Sequence, residues 1–103
     1  MAQKIIAGVT VDVTEEGYLT NPAQWTKEIA LEIGKEENVQ LTDKHFEVLN
    51  FIRDRFAKNE TMTIRSVGNS GIIDIKGFYG LFPGAPMKKA AKIAGISKPA
   101  SCV

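Results

Sequence analysis

Cys102 is the only cysteine of the chain and stands second to last among its 103 residues, so its chemistry begins from position. The thiolate is the nucleophilic form of cysteine, and at an unperturbed pKa of about 8.5 only a small fraction is ionised near neutrality. Lys98 and the basic stretch carrying Lys88, Lys89 and Lys92 lower that pKa through their field, whereas the carboxylate of Val103 raises it. These influences oppose, and the sequence leaves the sign of the net shift open. Reach is better defined: an extended segment from Ile96 to Val103 spans up to about 26 Å at about 3.3 Å per residue, enough to carry a thiol into a deep site on another protein. A free thiol on such an arm suits a carrier that accepts a group as a mixed disulfide or persulfide at one protein and surrenders it at the next. The plain alternative is an incidental terminal cysteine.

Other chemistry is largely excluded by what the chain lacks. It has no GxxxxGK phosphate loop, no HExxH, no GxSxG and no CxxC, so the commoner nucleotidase, hydrolase and dithiol-redox signatures are absent. One cysteine forms no internal disulfide and no cysteine-rich metal site, and a single histidine, His45, leaves little for a zinc site. His45 falls early in a helical pattern and reads as a surface or half-buried helix residue rather than a catalytic base. Neither a cofactor nor a metal is expected.

Charge is distributed unevenly. Residues 1 to 74 hold all 12 acids, while residues 75 to 103 hold 5 bases (Lys76, Lys88, Lys89, Lys92 and Lys98) and no acid. A basic segment of this kind steers association with an acidic protein surface or with RNA phosphates; its bland reading is a solvated helix face. No window approaches the roughly 18 consecutive apolar residues of a membrane span, and "MAQKIIAGVTVDV" does not read as a secretory signal. The expected location is the cytoplasm, with no membrane association.

These residues need elements to position them. "VTVDV" at 9 to 13 alternates apolar and polar residues as a half-buried strand does, with Val9, Val11 and Val13 on one face; with "KIIAG" before it, it predicts a hairpin turning at Ala7 and Gly8. "EEGY" predicts a turn around Gly17. "TNPAQW" opens a helix with Asn21 as cap, Pro22 at the first position and Gln24 as in a capping box, running to about Glu37 with one break near Trp25. Thr42 caps the next helix, in which Phe46, Leu49, Ile52 and Phe56 share a face. Two short helices follow, one from Thr63 to Gly68 and one ending before Pro83, and then "MKKAAKIAG" from Pro86 to a stop at Gly95. Trp25, Tyr18, Phe46, Phe51, Phe56 and Phe82 read as core, and Tyr79 as core or as the lining of a cleft for the arm. The short helices could be taken for a helix-turn-helix, but "IIDIKGFYG" offers Lys76 alone to read bases, so specific DNA binding is not expected.

The stretch "FYGLFPGAPMKKAAKIAGISKPASCV" at 78 to 103 resembles the C-terminal signature of the DsrC/TusE sulfur-relay family: LFP, a Gly/Pro turn, a Lys-containing helix, KIAG, then KP and a penultimate cysteine. "EEGYL", "QW", "HFEVLNFIRDRF" and Arg65 in "TIRS" match upstream in the same order, so the resemblance covers nearly the whole chain. It implies a mainly α fold: a small orthogonal helical bundle over residues 1–95, an N-terminal β-hairpin at about 4–14, and a flexible C-terminal arm, 96–103, bearing the cysteine. It also implies that Cys102 carries sulfur as a persulfide, in a sulfurtransferase-type carrier rather than a free-standing enzyme. The implied donor is a TusBCD- or DsrEFH-like complex, and the implied acceptor a tRNA thiolase modifying wobble uridine, or dissimilatory sulfite reductase in DsrC-type members. Arg65, Lys88, Lys89, Lys92 and Lys98 are the candidates for docking the arm or a partner, and the free protein is expected to be monomeric.

Three departures qualify the resemblance. The second arm cysteine of DsrC-type members falls at Ala91, so no intramolecular disulfide or trisulfide can close on this chain. Ser97 stands where many members have Pro, and "SVGNSGIIDIKG" is shorter and less basic than in a typical TusE. The first leaves a DsrC-type partner of sulfite reductase as an alternative to the TusE-like relay only if Ala91 replaces a native cysteine, and the other two keep a non-catalytic regulatory paralogue open.

Overall fold

The first twelve residues of the described chain already fold on themselves. In the computed structural model, which describes residues 2–60 and 63–97, strands β1 (Ala2–Ile6) and β2 (Val9–Val13) pair antiparallel with Ile6 opposite Val9 and Ala2 opposite Val13. The two residues between them, Ala7 and Gly8, take φ of 52° and 77°, the left-handed pair that a two-residue turn needs to match the strand twist. Val11 and Val13 are buried as the alternation predicts. Val9 is 45% exposed although Ile6, its partner across the hairpin, is buried at 3%; period alone does not reveal which residue of a pair the core covers.

The turn at 14–18 brings Tyr18 and Leu19 into the core, with Gly17 at φ 88°. A 3₁₀ turn, Pro22–Gln24, follows, and Trp25 interrupts the helix as expected before α1 (Lys27–Glu36), whose cap Thr26 accepts from the Ile29 amide at 3.2 Å. The capping box expected of Gln24 does not form. Its side chain turns instead to β2, accepting from the Asp12 amide at 2.9 Å and donating to the Asp12 carboxylate at 3.2 Å. A strand-edge amide with no other partner outbids a helix terminus that Asn21 already caps through the Ala23 amide.

Helix α2 (Asp43–Ala57) buries His45, Val48, Leu49 and Ile52. Phe46 and Phe56, expected on the same face, are half-buried at its flanks, as are Phe51 and Trp25. Helices α3 (Ile64–Gly68) and α4 (Ile75–Leu81) pack on each other, capped by Thr63 and Asp74. Phe78 and Phe82 sit fully inside, each contributing about 1.5–3 kcal/mol by burial. Tyr79, one residue along the helix, is 43% exposed and joins no core.

Helix α5 (Pro86–Ile93) lies among α1, α2 and α4. Its inner face is Met87, Ala90, Ala91 and Ile93, all without solvent exposure; the two alanines let neighbouring elements approach closely. Ile96, counted with the arm in the sequence, is still buried in the core at 3% exposure, so the body extends one residue past Gly95. Among the described residues the fold is thus five α-helices, one 3₁₀ turn and a two-stranded antiparallel hairpin.

Candidate functional site

Cys102 and Lys98 lie outside the described residues, so what can be followed is the base from which their segment departs: the C-terminal end of α5. That end is a Schellman motif. Gly95, at φ 72°, donates its amide to the Lys92 carbonyl at 3.3 Å, and Ile96 donates to the Ala91 carbonyl at 3.2 Å. Such a motif leaves the carbonyls of Ile93 and Ala94 without backbone donors. Trp25 Nε1 donates to the first at 2.8 Å and Arg53 Nη1 to the second at 2.8 Å.

The two side chains support each other. The Arg53 guanidinium lies 4.2 Å from the centre of the Trp25 ring, and its Nη2 donates to the Pro22 carbonyl at 3.1 Å. Burial pushes the Arg53 pKa below its ordinary value; the charge is retained at a helix C-terminus, where the macrodipole favours a cation. Trp25 also presses on Gly95 so closely that a β-carbon there would meet its Cδ1 at 2.3 Å. Helices α1 and α2 end in the same motif with Asn38 and Asn59 in the left-handed position, at φ 60° and 57°. Asparagine meets the conformational demand at those two; at α5 the indole adds a steric one.

Of the lysines on α5, Lys92 is engaged. Its Nζ is 3.3 Å from the Glu37 carboxylate, both side chains being about one-fifth exposed, and its stem crosses the turn at Gly17. Lys88 and Lys89 are half-buried and make no ion pair among the described residues; the Lys88 carbonyl accepts from the Tyr18 hydroxyl at 3.2 Å. Arg65 is exposed on α3, which packs on α4 rather than on α5. The sequence-derived docking residues are therefore split between two elements. Ala91, where a second thiol would sit, is fully buried.

His45 is buried at 6% exposure, deeper than the surface or half-buried place expected of it. Its Nδ1 accepts from the Thr42 amide at 3.1 Å, its Nε2 donates to the Leu81 carbonyl at 2.9 Å, and Phe82 meets the ring edge-on. Both nitrogens hold structure together, and neither is presented to a substrate. Among the described residues no three His, Cys, Asp or Glu side chains come together as a metal-ligand set, and no helix is long and apolar enough to cross a membrane.

Sequence reasoning took Trp25 as core and passed over Arg53. A signal was present: Arg53 stands four residues after Leu49 and three before Phe56, in register with the apolar stripe of α2, where a cation needs a buried partner.

Comparison with known proteins places this geometry. The chain is 34% identical over 116 residues to the sulfurtransferase TusE of Photorhabdus laumondii, covering all of both chains. It is 34% identical over 108 residues to TusE of Escherichia coli, covering 96% of this chain and 98% of the other. Among solved structures, DsrC of Allochromatium vinosum superimposes with a TM-score of 0.82 at 31% identity, covering 98% of this chain and 97% of that one. Dissimilatory sulfite reductase I (DsrI) gives 0.85 at 29% identity, covering 99% and 100%. The family model described as DsrC like protein matches residues 5–103, a span that takes in both the clamped end of α5 and the terminal cysteine; this chain belongs to the DsrC-like family.

Proposed function

We propose that this protein is a sulfur carrier of a relay system, with Cys102 as the sulfur-bearing residue. The observation that carries the reading is the match to TusE sulfurtransferases along the whole chain together with a sole cysteine at position 102. In the transfer, the Cys102 thiolate attacks the outer sulfur of a donor persulfide, R–S–SH. The donor S–S bond breaks, its electron pair leaves with the inner sulfur as the thiolate R–S⁻, and a new S–S bond gives Cys102–S–SH, the proton staying on the transferred sulfur. No net oxidation occurs, so neither metal nor redox cofactor is needed. The reverse logic delivers the sulfur to an acceptor.

The donor in this reading is a TusBCD-like complex and the acceptor a tRNA thiolase, in the reducing cytoplasm where a lone thiol stays free. Lys88, Lys89 and Lys98, with Arg65, present positive charge to acidic partners, and Cys102 carries the sulfur between them. A second reading, a DsrC-type partner of dissimilatory sulfite reductase, is favoured by the structural likeness to DsrC and DsrI; its two-cysteine chemistry lacks a second sulfur at Ala91.

Incubation with a small-molecule persulfide donor, and separately with a TusBCD-like complex, followed by intact-mass measurement, tests the carrier. A gain of one sulfur that disappears in Cys102→Ser supports it. Absence of any gain from both donors would remove it.

A further inference from the structure

We propose that the outer face of α4, anchored by Tyr79, docks an acidic protein surface, one that offers an apolar recess bordered by Asp and Glu side chains. The proposal deepens the carrier reading and rests on it for the partner, a protein that gives sulfur to Cys102 or takes it.

Among the described residues five large apolar side chains are exposed, and only Ile75 and Tyr79 share an element, at 44% and 43% exposure. Side chains four apart cover one surface of a helix, so the two form a stripe while Phe78 fills the core behind it. Ile75 is steadied against α3, where Gly68 comes too close for a β-carbon to fit. The Tyr79 hydroxyl has no hydrogen-bond partner among the described residues. An exposed ring with a free hydroxyl is the type of side chain that anchors protein interfaces.

The charge around this stripe has one sign. Between Thr63 and Ser97 the sole acid is Asp74, and its carboxylate is occupied by its own helix, accepting from the Gly77 amide at 2.6 Å. Glu47, brought to this side by α2, is held by Lys44 at 2.9 Å, and Lys44 also donates to the Ile72 carbonyl at 3.2 Å. Lys76 on α4, Arg65 one turn before Gly68 on α3, and Lys89 make no ion pair among the described residues. The Lys89 ammonium would lie 4.0 Å from a β-carbon at Gly84, in the exposed turn that follows α4. An aromatic anchor bordered by unpaired cations complements an acidic surface. Leu31, comparably exposed on α1, stands instead among Lys27, Glu28 and Lys35, charges of both signs.

Gly80 adds an independent sign. Glycine in a helix is destabilising relative to alanine, and α4 carries two. Gly77 is explained by packing, since a β-carbon there would meet Ile73 at 2.6 Å and Asp74 at 2.9 Å. At Gly80 a β-carbon would meet nothing within 4 Å, and the residue does not adopt positive φ. Neither crowding nor conformation within the fold calls for glycine beside Tyr79. Close approach of a partner's backbone does.

The full chain is titrated against a TusBCD-like complex, a tRNA thiolase and tRNA alone. Tyr79→Ser is expected to weaken binding to one of the two proteins by about 10–100-fold. Lys76→Gln weakens it by about 2–5-fold, an effect that fades at high salt, and Leu31→Ser leaves it unchanged. Gly80→Gln separates docking from folding: it melts a few degrees higher than the unsubstituted protein yet binds at least about 10-fold more weakly. The proposal is overturned if neither protein binds, or if Tyr79→Ser and Gly80→Gln bind both as the unsubstituted chain does. It is overturned equally if Leu31→Ser weakens binding as much as Tyr79→Ser, or if tRNA alone is the ligand that Tyr79→Ser loses. Loading of Cys102 by inorganic polysulfide is measured alongside and is unchanged in every variant, because none alters the thiol. Failure of polysulfide to load any of these proteins counts against the carrier reading and leaves the affinities to decide the role of α4.

Discussion

Trp25 and Arg53 stack at 4.2 Å and end on the carbonyls of adjacent residues, Ile93 and Ala94. Because each side chain holds the other in place, their contributions to stability are coupled. Arg53→Ala removes two charge-assisted hydrogen bonds and is expected to cost about 1.5–3 kcal/mol; Trp25→Ala, deleting a half-buried indole, about 2–4 kcal/mol. Urea denaturation of both variants and the double variant should give a coupling of about 1 kcal/mol. Strict additivity would mean that the two carbonyls are held independently.

The steric demand at Gly95 separates it from Asn38 and Asn59, although all three adopt positive φ. Gly95→Asn supplies a residue that tolerates the conformation but places a β-carbon 2.3 Å from Trp25 Cδ1, so it is expected to cost about 1–3 kcal/mol from overpacking. Asn59→Gly should change stability by less than about 1 kcal/mol. Thermal melts decide the matter, and the Gly95→Asn penalty should shrink in a Trp25→Ala background.

Lys92 and its neighbours on α5 divide by role. Lys92→Gln breaks the pair with Glu37 and is expected to cost up to about 1 kcal/mol of stability. Lys88→Gln and Lys89→Gln should leave stability within about 0.5 kcal/mol but weaken association with an acidic partner, the difference fading as salt rises. Denaturation and binding at two ionic strengths read both effects.

His45 is a structural residue whose loss leaves the thiol untouched. His45→Leu orphans the Leu81 carbonyl and the Thr42 amide, which should lower stability by about 1–3 kcal/mol. The pH profile of Cys102 alkylation should not move. A shift in that profile would assign His45 a part in thiol activation.

Ala91 has no solvent exposure, so Ala91→Cys creates a thiol that alkylates far more slowly than Cys102 in the folded protein and equally fast in denaturant. Without that substitution, oxidation joins two chains through Cys102 and never closes within one, as non-reducing electrophoresis will show.

The sequence by itself determined the parts that depend on neighbours along the chain. The hairpin turn at Ala7 and Gly8, the caps Thr26, Thr42, Thr63 and Asp74 and the stop at Gly95 follow from local backbone preferences, and most were legible at once. The lone cysteine was equally plain, as a matter of composition; that a second would fall at Ala91 came only from the resemblance to DsrC-type members. Only the tertiary structure decided where polar side chains found their partners. Gln24 served Asp12 instead of its own helix, His45 sank to bridge Thr42 and Leu81, and Lys92 turned to Glu37. Trp25 and Arg53 reached across to the end of α5. The reason is common to all five: a buried donor or acceptor must be matched somewhere, but nothing along the chain says which distant carbonyl or carboxylate packing will bring within 3 Å or so of it. Local geometry chose where α5 stops, and the fold chose what holds its last turn.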